Sequence, residues 1–458
     1  MSETLRGGLR YSVLGGARSG LAVARLLAER GAHVFLSDSA PREKMSRTAA
    51  ALDAIGVPYE FGVNSRRVLD ADTVVVSPGV PSDAALVREA IARGIAVVSE
   101  LEVASWFCPS PVVAITGTNG KTTTTVLTGR MLSDARMSPV VAGNVGTAFS
   151  EVVGGMTGSD IAVLEVSSFQ LDFIRSFRPK VAVLLNITPD HMDRYQHRFE
   201  NYIASKEKIF MNQRTGDLLI YNDDDDVTRS AVLGNVPPGV EPIPFSVRRP
   251  LERGAFLRDG VLTVSAGPSH EEIVRADAIS IRGEHNLANA MAASLAALRL
   301  GVPRASVRAT LRNFPGVEHR LEFVRELDGI MYINDSKATN VDSVWYALRS
   351  FERPLVVLLG GRDKGNDYAR LRDPVREHVR AIVAIGESAG RVHEAFGSLV
   401  PVRSAPTMSD AVAAARQMAQ AGDIVILSPA CASFDWFENY EHRGRVFKEA
   451  VMSLSPAH

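Results

Sequence analysis

Cysteine is nearly missing from this chain. Cys108 and Cys431 are the two among 458 residues, far too few for a disulfide framework, a usage that fits a reducing compartment. Neither has a metal-ligating neighbour in the sequence, so both are expected to be packing residues. An excess of charge of one sign is missing too. Fifty-one basic residues face 52 acidic ones, for a formal charge of −1, which removes the electrostatic case for a nucleic-acid partner. No apolar run of about 18 residues occurs, and the opening MSETLRGGLR has no apolar stretch. No membrane insertion and a cytoplasmic location are therefore expected. Internal repeats and low-complexity tracts are also absent.

What is present begins with size. The chain exceeds one hydrophobic core and suggests about three domains. Hydrophobic residues make up 46% and charged ones 22%, an ordinary globular balance. The most informative stretch is Ala114-Ile-Thr-Gly-Thr-Asn-Gly-Lys-Thr-Thr-Thr124. An apolar run, Val112–Ile115, reads as a buried parallel strand, and a helical pattern begins after Lys121. Gly117 and Gly120 let the backbone between them curl so that N–H groups point inward at a phosphate. Lys121 adds a cation, the Thr122 hydroxyl can ligate magnesium, and the helix N-terminus favours negative charge. In the usual loop a glycine stands five residues before the second; that position is Ile115 here, so the loop is a shortened variant. A nucleoside triphosphate is the expected ligand.

Strands alternate with helices along the first hundred residues: Tyr11–Gly15, a helix over Gly20–Arg30, His33–Ser37 ending at Asp38, Thr73–Ser77, a helix over Asp83–Arg93, and Ile95–Val98. This alternation implies a parallel sheet. The loop Gly15-Gly16-Ala17-Arg18-Ser19-Gly20 resembles a dinucleotide fingerprint but carries Ala17 at its second glycine position. It reads equally as phosphate-binding or as a tight strand–helix turn. Residues 100–316 form a second unit, with strands Ile161–Glu165 and Val181–Asn186, an antiparallel excursion within 236–283, and a helix from Asn286 to Leu300. Ligands gather at the carboxyl ends of such strands, so Glu165, Asn186 and Thr188–Asp193 are expected near the phosphate loop. The acidic run Asp223–Asp226 reads as a solvated loop, and Lys206 at first inspection as a surface helical lysine. A third unit, 317–458, repeats the pattern with strands at Met331–Asn334, Leu355–Leu359, Ile382–Ile385 and Ile424–Leu427. Three of its strand-end loops, Asn334–Asn340, Gly360–Gly365 and Ser428–Asp435, carry Lys337, Lys364 and Ser433. Such a set suits capture of a small carboxylate. The fold class is α/β: a Rossmann-like N-terminal domain (1–99), a central P-loop ATPase-like domain (100–316) and a Rossmann-like C-terminal domain (317–458).

The motifs TGTNGKTT (116–123), GN (143–144), LEVSSFQL (164–171), NITPDHMDRY (186–195), HN (285–286), HR (319–320), NDSKATN (334–340), LGGRDKG (359–365) and LSPACASFD (427–435) occur in that order over most of the chain. In them the sequence resembles the Mur ligases. The last motif argues for the branch that adds D-glutamate, whereas folate polyglutamate ligases lack the N-terminal unit. The resemblance implies an enzyme, an ATP-dependent ligase of peptidoglycan precursor synthesis. It would phosphorylate the carboxylate of UDP-N-acetylmuramoyl-L-alanine and let D-glutamate displace phosphate from the acyl phosphate.

The same resemblance implies the site residues. Lys121, His191, Lys206 and Lys337 would be catalytic. Gly117, Thr118, Asn119, Gly120, Lys121, Thr122, Thr123, Asn286, Arg320, Asp335 and Lys337 would hold ATP. Thr122, Glu165, His191 and a carbamylated Lys206 would hold two Mg2+ ions, replaceable by Mn2+. Arg18, Ser19, Asp38, Ser39, Ser77, Gly79, Asn144, Ser167 and His191 would bind the UDP substrate, and Thr339, Lys364, Ser433, Phe434 and Tyr440 D-glutamate. An arginine that often follows Ser39 is Ala40 here, with Arg42 two positions later, which weakens the uridine assignment. A monomer is expected. Two competing readings remain at this point. The N-terminal fold suggests a dehydrogenase, and residues 117–122 alone suggest a kinase or regulatory ATPase. Neither explains the Lys, Asp and Ser loops of the third unit.

Overall fold

The structure, a computed structural model, describes residues 8–144, 146–267, 269–363 and 365–456. The chain divides into two compact units. One runs to Ile279 and takes in Ala288–Asn313; the other comprises Ser280–Leu287 and the chain from Phe314 onward.

The first unit holds two of the three sheets found among the described residues. One has the order Tyr59–Phe61, His33–Asp38, Arg10–Leu14, Thr73–Val76, Ala96–Ser99, all parallel. Its inner strands are apolar on both faces, as Val13, Leu14, Val74 and Val75 illustrate, because helices cover both sides of a parallel sheet. The first helix spans Arg18–Glu29 and starts two residues before the expected Gly20. Gly20 belongs inside it for steric reasons: a Cβ there would stand 1.8 Å from the Gly15 carbonyl oxygen. Only glycine lets helix and turn approach this closely.

The second sheet runs His270–Arg275, Val261–Ala266, Arg253–Arg258, Glu241–Ser246, Leu218–Asn222, Val181–Leu184, Val112–Thr116, Asp160–Glu165, Ser138–Gly143. The antiparallel excursion foreseen in 236–283 is confined to Arg253–Arg275, since Glu241–Ser246 pairs in parallel with Leu218–Asn222. The acidic run is not the solvated loop expected from its composition. Asp223 is buried and pairs with Arg249, Asp224 accepts from Ser246 Oγ and the Val247 N–H, and Asp225 caps the helix Asp226–Asn235. Neighbouring donors offset the desolvation of these carboxylates.

The second unit contains a sheet ordered Glu322–Leu327, Ile330–Asn334, Ile424–Leu427, Leu355–Gly360, Val379–Ile385, Val402–Ser404. The first strand is antiparallel to its neighbour and the rest are parallel. The last strand in chain order, Ile424–Leu427, lies between Ile330–Asn334 and Leu355–Gly360. That crossover sets the three polar loops side by side at one edge.

The two sheets of the first unit are joined through Glu102, on the helix Glu100–Trp106 that follows the N-terminal sheet. Its buried carboxylate accepts from the backbone N–H groups of Arg175, Ser176 and Phe177, and from Trp106 Nε1. Burial alone would raise its pKa, but these donors, Ser176 first, hold it below the usual glutamate value. Such a carboxylate contributes stability that is full above the ordinary glutamate pKa and is lost as pH falls through the lowered one. Glu102→Gln is therefore expected to cost about 1–3 kcal/mol at neutral pH in urea unfolding. The gap between variant and wild type should narrow as pH falls below the ordinary glutamate pKa and through the lowered one; a pH-independent gap would contradict this account.

Candidate functional site

In the first unit, the strand Val112–Thr116 ends in a loop that turns into the helix Lys121–Asp134. Gly120 has φ 86°, and a Cβ there would meet Asn289 Oδ1 at 2.3 Å. The loop is held from the neighbouring strand's end: Thr118 N–H donates to the Asn186 carbonyl (2.9 Å), and Asn119 N–H to Asn186 Oδ1 (2.8 Å). Thr118 Oγ1 and the Thr188 backbone bond each other in both directions. The expected approach of 186–188 to the phosphate loop is thus found, and Asn186 does the holding.

Two lysine amines converge on this loop. Lys121 Nζ donates to the carbonyls of Gly117 (2.8 Å) and Thr118 (2.9 Å). Lys206 Nζ donates to the same Gly117 carbonyl at 2.9 Å. Lys206 is 1% exposed, not the surface lysine its helix suggested. Burial first, and then the charge of Lys121, push its pKa well below that of a free lysine. Both causes disfavour the charged form of the amine. Beside it, Thr122 Oγ1 donates to Glu165 Oε2 (2.6 Å), and Asn144 Nδ2 to Glu165 Oε1 (2.7 Å). Glu165 and Thr122 supply hard oxygens of the kind magnesium takes, while the buried Thr123 hydroxyl has no hydrogen-bond partner. An orphaned donor at a helix N-terminus fits a phosphate oxygen. His191 stands at the head of the turn Met192–Tyr195 with φ 54°, edge-on to the Phe169 ring at 4.9 Å.

A cleft of about 560 Å³ opens beside the N-terminal sheet. Arg18, Ser19, Asp38, Ser39, Ser77, Gly79 and Asn144 all line it, together with Asn64, Pro78, Val80 and Gln170. Asp38 braces its floor, accepting from the Gly16 N–H (2.5 Å) and the Ala40 N–H (2.7 Å). Of the residues expected around one UDP substrate, Ser167 and His191 are not in this lining. Ser167 instead caps the short helix Ser168–Leu171, in a capping box with Gln170.

In the second unit, Asp335, Lys337 and Thr339 sit on the loop after Ile330–Asn334. Asp335 is buried. Its pKa is pushed up to about 7 by burial, against the pull of Arg320 and of Ser428 Oγ, which donates to it at 2.9 Å. Arg320 Nε is buried without a partner, again a donor suited to an anion. The Lys337 amine lies 5.2 Å from the Tyr440 ring centroid. Asn286 is buried and donates to the Arg282 carbonyl, and Ser433 is buried while Phe434 is 60% exposed. Lys364 lies outside the described residues. Glu318, His319 and Glu322 could together hold a cation, but Lys448 Nζ already bonds both carboxylates, at 2.6 and 2.9 Å.

Several residues carry the site without having stood out in the sequence. Arg443, on the helix Tyr440–Met452, is 1% exposed. It donates to Ser336 Oγ (3.0 Å), the Ser336 carbonyl (2.8 Å) and the Cys431 carbonyl (3.0 Å), tying two of the polar loops together. Asn289 lies one helical turn after Asn286, a spacing that could have signalled it. Gln170 falls inside the LEVSSFQL motif without having been singled out, and Asn64 offered no comparable signal.

With this geometry in hand, comparison with known proteins is decisive. Residues 10–99 match the Mur ligase MurD-like N-terminal domain, 115–297 the Mur ligase middle domain, and 319–431 the Mur ligase glutamate ligase domain. The UDP-N-acetylmuramoylalanine–D-glutamate ligase of Salinibacter ruber is 50% identical, over 97% of this chain and 98% of its own. The protein of the same name from Chloroherpeton thalassium is 44% identical, covering 98% of each chain. The chain belongs to the Mur ligase family. Solved structures show the same fold at low identity. MurF from Acinetobacter baumannii has a TM-score of 0.62 at 18% identity, over 96% of this chain and 93% of its own. UDP-N-acetylmuramate–alanine ligase from Thermotoga maritima has 0.60 at 20%, over 97% and 99%. The three-domain α/β fold class read from the sequence is that of the family. No helix among the described residues of this Mur ligase is long and apolar enough to cross a membrane.

Replacing Arg443 by lysine keeps the charge but not the planar set of donors that spans Ser336 and Cys431. Arg443→Lys is expected to lower stability by about 2–4 kcal/mol, through buried carbonyls left unpaired. Urea unfolding checks this, and a change below ~0.5 kcal/mol, the range of ordinary surface substitutions, would contradict the clamp.

Proposed function

We propose that this Mur ligase adds D-glutamate to UDP-N-acetylmuramoyl-L-alanine, with ATP converted to ADP and phosphate. The observation that carries the reading is the 50% identity, over nearly the whole chain, to the Salinibacter ruber ligase of that name. ATP would transfer its terminal phosphoryl group to the substrate carboxylate, giving an acyl phosphate. The amine of D-glutamate would attack the carbonyl carbon, and the tetrahedral intermediate would expel phosphate as the amide forms. Positioning and charge neutralisation are the main catalytic devices available to such a reaction.

Gly117–Thr123 would hold the ATP phosphates, with Lys121 leaving its two carbonyl partners for them. Asn286, Arg320, Asp335 and Lys337 would hold the rest of ATP; the orphaned Arg320 Nε supports this. Thr122, Glu165, His191 and Lys206 would ligate two Mg2+ ions, which neutralise phosphate charge when bound; Mn2+ would substitute. The lowered pKa of the buried Lys206 amine, which favours its uncharged form, supports a carbamate there. The amine adds carbon dioxide, an N–C bond forms, a proton leaves, and a buried cation precursor becomes a carboxylate-like ligand. The UDP moiety would occupy the cleft at Arg18, Ser19, Asp38, Ser39, Ser77 and Gly79, with Asn144, Ser167 and His191 toward the muramoyl end. Thr339, Lys364, Ser433, Phe434 and Tyr440 would take D-glutamate. We assign the domains to 1–99, 100–316 and 317–458, the protein to the cytoplasm, and its working form to a monomer.

Phosphate release from ATP tests the reading directly. It is expected only with UDP-N-acetylmuramoyl-L-alanine and D-glutamate together, and not with L-glutamate. Release independent of either substrate would sink the assignment. For the carbamate, Lys206→Ala is expected to lose ~10²–10³ in turnover and to recover in part with added formate or acetate. Lys206→Arg, which cannot form the adduct, should stay inactive, and full activity in that variant would rule the carbamate out.

A further inference from the structure

One arginine in the first unit ties the wall of the UDP cleft to the turn that carries His191. Arg194 sits in that turn, and its guanidinium faces the loop after strand Thr73–Val76. Nη2 donates to the carbonyls of Val80 (2.9 Å) and Pro78 (3.2 Å), and Nη1 to that of Gly79 (3.4 Å). Three successive carbonyls thus converge on one cation. Pro78, Gly79 and Val80 all line the cleft. The other side of their loop is fixed by Ser77, whose Oγ donates to the Gly15 carbonyl at 2.8 Å.

Arg194 also leads to His191, by two routes. The Arg194 backbone N–H donates to the His191 carbonyl at 2.9 Å, closing the turn that starts at His191. The guanidinium also stacks 4.2 Å from the Phe169 ring centroid, and that same ring meets the His191 imidazole edge-on. The turn holds left-handed backbone at His191, Gln196 and His197, a conformation that persists only where neighbouring bonds enforce it. Arg194 is its one described tie to the 78–80 loop, and a guanidinium alone among side chains combines a planar fork of donors with a stacking face.

We propose that Arg194 is a positioning residue that couples the UDP-substrate cleft to His191. It holds the cleft wall and the imidazole in register, so that a nucleotide seated against Pro78–Val80 also sets the His191 ring. The proposal rests on the functional reading above, in which the cleft takes the UDP moiety and His191 serves the reacting end.

A double-mutant cycle tests it. Arg194→Ala is expected to raise KM for UDP-N-acetylmuramoyl-L-alanine on the order of tenfold, with KM for D-glutamate unchanged within about twofold. The penalty of His191→Ala on kcat should be smaller, on the order of tenfold, when Arg194 is already alanine, because residues acting as a unit are non-additive. Arg194→Lys should not restore either quantity. Phe169→Leu, which removes the stacking face and keeps the apolar volume, should show the same coupling with His191→Ala; it serves if Arg194→Ala fails to fold. Additive penalties, or an unchanged KM for the UDP substrate, would overturn the proposal. Calorimetry with UDP on the wild-type protein separates the two failures. No UDP binding there would mean that the cleft assignment has failed, whereas UDP binding with additive mutants would mean that the coupling alone has failed.

Discussion

The Gly117 carbonyl is the point on which the first unit's site depends. It accepts from two lysines, Lys121 and Lys206, and one of these is wholly buried. Burying an amine in this way is costly unless it sheds its charge or finds a partner. Here the amine bonds the carbonyl, and burial first, then Lys121, favour its uncharged form. The arrangement is possible only because strands Val112–Thr116, Asp160–Glu165 and Val181–Leu184 are parallel neighbours. Their carboxyl ends deliver Gly117, Glu165 and Asn186 to one place. Moving any of these strands by one residue would take its polar end out of the cluster and turn its apolar face around.

The second unit solves a similar problem with the opposite charge logic. Its polar loops bring buried carbonyls from Ser336, Cys431 and Ala432 together, and Arg443 satisfies all of them. Burial lowers the pKa of that guanidinium only to about 10, so it remains a cation at neutral pH. Asp335, in the same neighbourhood, is pushed up to about 7. The unit therefore keeps a permanent positive charge in its framework and a carboxyl balanced near neutrality on its loop, a pairing of a fixed and a tunable group that suits work on anions.

How much of this was legible from sequence divides along a physical line. The strand–turn–helix at 112–134 was legible, because apolar runs, glycines and a lysine at a helix start are local signals. The three polar loops of the second unit were legible for the same reason, whereas the cleft residues Arg18 to Gly79 came only from the family resemblance. The burial of Lys206 was not. Tyr202, one turn earlier on its own helix, covers one side, but the phosphate loop that covers the other comes from tertiary packing. Asp223–Asp225 misled for the converse reason. Composition says solvated, while Arg249, Ser246 and a helix start, all reached through the fold, hold them in place. Glu102 escaped because it acts on backbone groups such as the Phe177 N–H, 75 residues away, and Arg443 because it reaches Ser336, 107 residues away, as well as Cys431.

The distribution of backbone strain connects these observations. Left-handed φ in non-glycine residues costs about 1–3 kcal/mol each when enforced. Among the described residues it occurs at nine positions; His191, Gln196, His197, His319, Leu321 and Ala430 lie within or beside the motif loops, whereas Arg136, Asp259 and Asp328 lie in turns away from them. Each of the segments in the motif loops is pinned by a bond from elsewhere in the fold: Arg194 to the 78–80 carbonyls, the Leu321 N–H to Asp335, and Asn366 Nδ2 to the Ala430 carbonyl. A loop free to relax would leave these conformations. Their retention means that the rigid sheets below are used to hold loops in shapes the loops would not choose, which is the condition for groups that must meet phosphate and carboxylate oxygens without first rearranging.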